Sequence, residues 1–180
     1  MDLEHKFCRF DGVLALVDGA VIEGYASLFG ETDQGGDVVA SGAYASSLVR
    51  LAAEGRQVKM LWQHDPAQPI GIWDVVQEDS RGLFVKGRLL DSVAKGREAA
   101  ALIEAGAIDG LSIGYRIVKA SKTDKGQRLL QELELWEVSL VTFPMLPSAR
   151  VASKGESPGD DNLRDLAETL EEARRTLARG

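Results

Sequence analysis

Through much of residues 7–143 apolar and polar positions alternate with a period of two, and helical spacing interrupts that alternation twice. Residues 7–29 alternate and are rich in Val, Ile, Leu and Tyr, and Asp18-Gly19 between two such runs predicts a hairpin. The polar, glycine-rich run from Gly30 to Asp37 reads as a shaped connecting loop; it lacks the ligand spacing and closing glutamate of a calcium-binding loop. Ser41 then caps a helix through about Glu54, with Tyr44, Leu48 and Leu51 on one face and Gly55 as its stop. Residues 57–63 read as a strand that delivers His64 at its end, before Asp65-Pro66 turns the chain. Residues 70–77 and 83–90 form a pair of strands around Asp79-Ser80-Arg81-Gly82.

Asp91-Ser92 caps a second helix that runs to about Ala105, with Ala99, Leu102 and Ile103 inward and Gly106 ending it. Residues 108–119 form a strand, Asp124-Lys125-Gly126 reverses the chain, and residues 128–143 form a long strand ended by Pro144. Six or seven strands with two inserted helices and no βαβ alternation predict a mainly β fold with some α, a mostly antiparallel barrel or sandwich. The composition changes after Pro147. Residues 1–150 therefore read as one domain, 151–159 as a linker, and 160–180 as a polar C-terminal helix. That helix carries Leu163, Leu166, Leu170, Ala173 and Leu177 as a narrow apolar seam, suited to docking on its own domain or to binding a partner.

Composition narrows the functional classes. The 180 residues are 44% hydrophobic, enough for a globular core. A net charge of −7 speaks against nucleic acid and anionic membrane surfaces as partners, since both call for a basic face. The single cysteine, Cys8, forbids an intrachain disulfide and reads as a small buried or half-buried residue. No apolar run approaches the ~18–20 residues of a membrane span. The start, from Met1 to Lys6, is charged and lacks the apolar stretch of a signal peptide.

Three positions suggest nucleophilic chemistry. In Gly110-Leu111-Ser112-Ile113-Gly114-Tyr115 one serine lies between apolar residues with a glycine two positions on, and glycine permits close backbone approach to a substrate carbonyl. Of the two histidines, His5 lies near the chain start, where mobility is expected, which leaves His64 as the credible base. Glu137 shares a strand face with Leu133, Leu135 and Ser139, where an ionised carboxylate is costly unless paired. An imidazole is a fitting partner; an exposed edge strand with a solvated glutamate fits the same pattern. Ser139 is a candidate supporting donor. Trp62, Trp73 and Trp136 read as core or groove lining. No cysteine–histidine grouping suggests a metal site and no phosphate-cradling loop is present, so neither metal nor cofactor is expected.

Taken in order, several segments resemble the tailed-phage (caudovirus) prohead serine protease family, the capsid maturation proteases related to herpesvirus assemblin. They are Gly24-Tyr25-Ala26-Ser27-Leu28-Phe29-Gly30, the loop through Gly36-Asp37 to Gly42-Ala43-Tyr44, Met60-Leu61-Trp62-Gln63-His64-Asp65-Pro66 with Pro69-Ile70-Gly71, the Ser112 strand, and Trp136-Glu137-Val138-Ser139-Leu140-Val141-Thr142-Phe143-Pro144. The resemblance implies an assemblin-like β-barrel flanked by helices. It also implies a serine endopeptidase that works in the bacterial host cytoplasm, inside the assembling procapsid. The major capsid protein's scaffolding segment, and the protease itself, are the implied substrates. Ser112 falls on the family's nucleophile and His64 on its base, while Glu137 stands where the related viral enzymes have a histidine as third member. Gly114 and Arg150 are candidates for the oxyanion site. A scaffold contact through the C-terminal helix and a homo-oligomer are compatible with the pattern. Two other readings stay open: a non-catalytic assembly module, and another serine hydrolase such as an esterase, against which the absence of α/β alternation counts, since Gly110-Leu111-Ser112-Ile113-Gly114 lies in a strand pattern and not at a strand-to-helix elbow.

Overall fold

The computed structural model describes residues 21–143 in full and the backbone of residues 4–8 and 15–17; the expected linker, the C-terminal helix and Arg150 lie outside the described residues. Nine strands and two helices are described, in the order β1 (Glu4–Cys8), β2 (Ala15–Val17), β3 (Val21–Leu28), β4 (Asp37–Val39), α1 (Ala45–Ala53), β5 (Lys59–Trp62), β6 (Asp65–Glu78), β7 (Gly82–Leu89), α2 (Ala94–Glu104), β8 (Gly110–Lys122) and β9 (Arg128–Val141). They form one sheet in the order β1-β8-β9-β5-β6-β7-β3-β2, with β4 paired to β9. β3 touches both β1 and β8 from the far side, so the sheet curls over its own apolar face while its path stays open. The expected barrel is therefore a curled, open half-barrel sheet.

The expected antiparallel arrangement holds for most neighbours and fails at the centre. β9 runs antiparallel to β8 on one edge and parallel to both β4 and β5 on the other, so the sheet is mixed. Helix α1 is the reason. β4 lies beside Arg128–Leu130 and β5 beside Glu137–Leu140, and α1 carries the chain forward from one to the other. Between those two strands the β9 edge has no strand partner, and the α1 segment supplies one. Leu133 N–H donates to the Ala43 carbonyl at 2.9 Å, and Leu135 N–H donates to Ser47 Oγ at 2.9 Å. Ser47 is 1% exposed, so this hydroxyl satisfies a buried amide that would otherwise be costly.

The remaining pattern follows the period-two reading. β2 and β3 pair as a hairpin, and β6 pairs with β7 around Asp79–Arg81. Ile22, Ala26, Met60, Ile70, Trp73, Leu83, Val85, Ile113, Leu133 and Leu135 fill the concave side, with Ala99 and Ile103 of α2 and Tyr44 before α1 closing over it. Trp73 is core, Trp62 is half-buried against it, and Trp136 is 40% exposed on the outer face.

Several boundaries differ from the sequence reading. Ser41 does not cap α1: the cap position is Tyr44, whose N–H donates to Glu78 Oε1 of β6 at 2.9 Å, a long-range carboxylate that suits a helix N-terminus. Nor does Asp91-Ser92 cap α2, which begins after Val93 with no side-chain cap. Both glycine stops hold, with Gly55 at φ 65° and Gly106 at φ 69°. His5 belongs to strand β1, opposite Gly114, so its backbone is ordered by pairing; the side chains of β1, Cys8 included, lie outside the described residues. β9 is central, which removes the solvated edge-strand alternative for Glu137. Among the described residues no helix is long and apolar enough to cross a membrane.

Candidate active site

Two adjacent strands lay out most of the site by register alone. Across the β8–β9 ladder Ser112 stands opposite Ser139 and Gly114 opposite Glu137, so alternation puts all four on one face of the sheet. A Cβ at Gly114 would lie 2.2 Å from Glu137 Oε1 and 2.8 Å from its carboxyl carbon. Glycine is required there so that the carboxylate can fold down across β8. It reaches His64, whose Nδ1 lies 2.5 Å from Glu137 Oε1, while Glu137 Oε2 accepts a hydrogen bond from Ser139 Oγ at 2.5 Å.

His64 arrives from the tip of the β5–β6 hairpin. Trp62 pairs with Asp65, which leaves Gln63-His64 as a two-residue loop, and both have positive φ, 52° and 61°. Positive φ at both central positions is the signature of a type I′ turn, which normally selects Asn-Gly or Gly-Gly. Gln and His pay a steric penalty there, of order 1–2 kcal/mol per residue. The sequence expectation put the turn one step later, at Asp65-Pro66; proline instead opens β6, where Asp65 accepts from Ala67 N–H at 2.9 Å.

The strained turn is pinned from four directions. Gln63 N–H donates to the Leu140 carbonyl at 2.9 Å, and its side-chain Nε2 donates to Thr142 Oγ1 at 2.7 Å. His64 N–H donates to Ser139 Oγ at 3.1 Å, and the imidazole is bonded at both nitrogens. Nε2 lies 2.6 Å from Ser112 Oγ. An ionised carboxylate only accepts, so the proton facing Glu137 sits on Nδ1 and Nε2 is left as the acceptor for the Ser112 hydroxyl. Ser112 has no exposed surface, the His64 side chain is 11% exposed and that of Glu137 7%. In such a shielded place an unpaired carboxylate would be costly; here two partners offset the burial.

The structure thus brings Ser112, His64, Glu137, Ser139 and Gly114 together. Gln63 and Thr142 are the residues the sequence reading missed: a turn without glycine or asparagine carries no local signal, and their contact spans 79 positions.

Comparison with known proteins places this arrangement in context. The sequence profile of the caudovirus prohead serine proteases matches residues 14–160. The prohead protease of Enterobacteria phage HK97 is 31% identical over 156 residues, covering 85% of this chain and 68% of that protein. Among solved structures, the bacteriophage T4 capsid assembly protease superposes with a TM-score of 0.62 at 20% identity, covering 79% of this chain and 98% of that one. The varicella-zoster virus protease gives a TM-score of 0.41 at 16% identity, over 71% of this chain and 60% of that one.

Proposed function

This chain belongs to the caudovirus prohead serine protease family, and from that premise we propose that Ser112, His64 and Glu137 form the catalytic set of its capsid-maturation endopeptidase activity. The supporting observation is the unbroken chain of short contacts from Ser112 Oγ through both imidazole nitrogens to the Glu137 carboxylate. It has the nucleophile–base–orienting acid geometry that serine acyl transfer requires.

In the proposed reaction His64 Nε2 takes the Ser112 proton as Oγ attacks the scissile peptide carbonyl. Glu137 keeps the imidazole in the Nδ1–H tautomer and stabilises the imidazolium that forms. The tetrahedral intermediate collapses when His64 returns its proton to the leaving amine, leaving an acyl group on Ser112. Water, deprotonated by the same imidazole, then attacks the ester and releases the second product. Backbone amides are the fitting donors for the oxyanion. Gly114 is better assigned to making room for Glu137, because β1 and β9 engage its peptide on both sides. The substrates proposed are the scaffolding segment of the major capsid protein and the protease's own tail. Cleavage would occur inside the assembling procapsid, with residues 1–150 as the protease domain and residues 151–180 as linker and tail.

Intact-mass spectrometry tests this reading on wild-type and Ser112→Ala chains, each co-expressed with the neighbouring major capsid protein. Discrete truncations of the capsid protein or the tail in the wild type alone are expected. Identical truncations with Ser112→Ala would remove Ser112 as nucleophile, and full-length products in both, once shells have formed, would favour a non-catalytic assembly role.

A further inference from the structure

Ser139 joins two groups of the site through one hydroxyl. Its Oγ accepts the His64 N–H at 3.1 Å, which fixes the second residue of the positive-φ turn, and donates to Glu137 Oε2 at 2.5 Å, which fixes the carboxylate. Its other neighbours leave it little freedom. It is fully buried, it lies between Ser112 of β8 and Leu61 of β5, and it belongs to the central strand of the sheet. A hydroxyl has one proton to give and lone pairs to receive, so one side chain can serve both contacts at once, which neither alanine nor a carboxylate can do.

The two contacts act on the same object. The turn sets where the imidazole ring starts and the carboxylate sets where it points; if either drifted, Nε2 would leave the 2.6 Å contact with Ser112 Oγ. From this geometry, and resting on the Ser112–His64–Glu137 reading above, we infer that Ser139 is a positioning residue for the proteolytic reaction, tying the strained histidine turn to the orienting carboxylate. It touches neither substrate nor the reacting atoms. Its contribution is to keep two strained or desolvated groups in register through the catalytic cycle, in the way that outer partners hold catalytic ligands in other sites.

The test is steady-state cleavage of a peptide spanning a mapped capsid cleavage site by the full chain carrying Ser139→Ala, Ser139→Cys or Ser139→Thr. Near-UV circular dichroism checks that each variant is folded. Ser139→Ala is expected to lower kcat by about 10- to 100-fold with KM unchanged, the effect of losing an orienting partner and not a substrate contact. Ser139→Thr, which keeps the hydroxyl, restores most of the rate. Ser139→Cys, close in volume and a weak donor, falls with Ala and serves as the deletion if Ala does not fold. The Nδ1–H signal of His64 in proton NMR should broaden or move in Ala and Cys and stay in Thr. Wild-type kcat in a folded Ser139→Ala or Ser139→Cys protein overturns the inference, as does a loss carried by KM alone. An active Ser112→Ala protein would instead overturn the catalytic set itself, and this inference with it.

Discussion

In the proposed catalytic set, removing the Ser112 hydroxyl or the His64 imidazole would take away a reacting atom, whereas removing the charge of Glu137 would leave both in place and disturb only the tautomer and the stabilisation of the imidazolium. Ser112→Ala and His64→Ala are therefore expected to abolish cleavage, by on the order of 10⁶ in kcat as in other serine triads, with the fold retained. Glu137→Gln should cost less, about 10⁴. Progress curves on a capsid-derived peptide check both, and a Glu137→Gln enzyme at wild-type rate would remove the third member. Gly114 offers a sharper test because it packs against the Glu137 carboxylate. A methyl there would stand 2.2 Å from Glu137 Oε1, and the flexible carboxylate is what gives way. Gly114→Ala should thus lose about 100-fold in kcat through misplacement of the carboxylate, with little change in melting temperature. An equal loss of stability and activity would mean that Gly114 serves the sheet and not the carboxylate.

At the scale of single elements, the β5–β6 hairpin separates strain from contact. Gln63 has φ 52° and a side chain bonded to Thr142. Ala and Gly both delete that side chain, but only glycine accepts positive φ without penalty. Gln63→Gly should therefore be more stable than Gln63→Ala by about 1–2 kcal/mol, the reverse of the usual order, read as a shift in denaturant midpoint at constant slope. An Ala variant as stable as Gly would show that the turn is not strained. The β6–β7 turn makes a prediction in pH. Tyr25 O–H donates to Asp79 Oδ2, and Asp79 Oδ1 accepts from Arg81 N–H at 2.7 Å and Gly82 N–H at 3.0 Å. Burial pushes the Asp79 carboxyl up, and these hydrogen bonds outweigh it, holding the group below its ordinary 3.8. A carboxyl whose folded value is depressed adds stability above the unfolded value and loses it as pH falls through the folded one. The stability difference between wild type and Asp79→Asn should hold constant from neutral pH to about 5 and shrink below 3.8. A difference that grows on acidification would reverse the sign.

Over the whole molecule, what could be read from the chain was whatever depends on neighbours in sequence. Alternation located the long strands, and glycines at Gly55 and Gly106 stopped both helices. The expected face shared by Glu137 with Leu133 and Leu135 fails: a register shift between Gly114 and Tyr115 turns those leucines to the core side with Ile113 and Val138, and leaves Glu137 with Ser139 on the other face. What could not be read depends on contacts between distant segments. The parallel pairing of β5 with β9 needs α1 to bridge β4 and β5 along one edge, and no residue of β5 signals its direction. The cap of α1 comes from Glu78, 34 positions away, and the turn holding His64 is stabilised from β9 and not by its own residue types.

The same integration bears on how the enzyme is switched on. Ser112, His64, Glu137 and Ser139 come from one chain and bond to one another, yet Ser112 has no exposed surface. If Ser112 is the nucleophile proposed, a substrate carbonyl must come within about 3–3.5 Å of it, so a local opening has to precede attack. If that opening belongs to the single chain, labelling of Ser112 by a fluorophosphonate should rise with probe and then level off at the opening rate. The plateau should not depend on protein concentration. A plateau that climbs with protein concentration would mean that a second copy opens the site, and strictly linear dependence on probe would mean that Ser112 is accessible without opening. Measuring the plateau with and without assembled capsid protein then separates an opening intrinsic to this sheet from one that the shell induces.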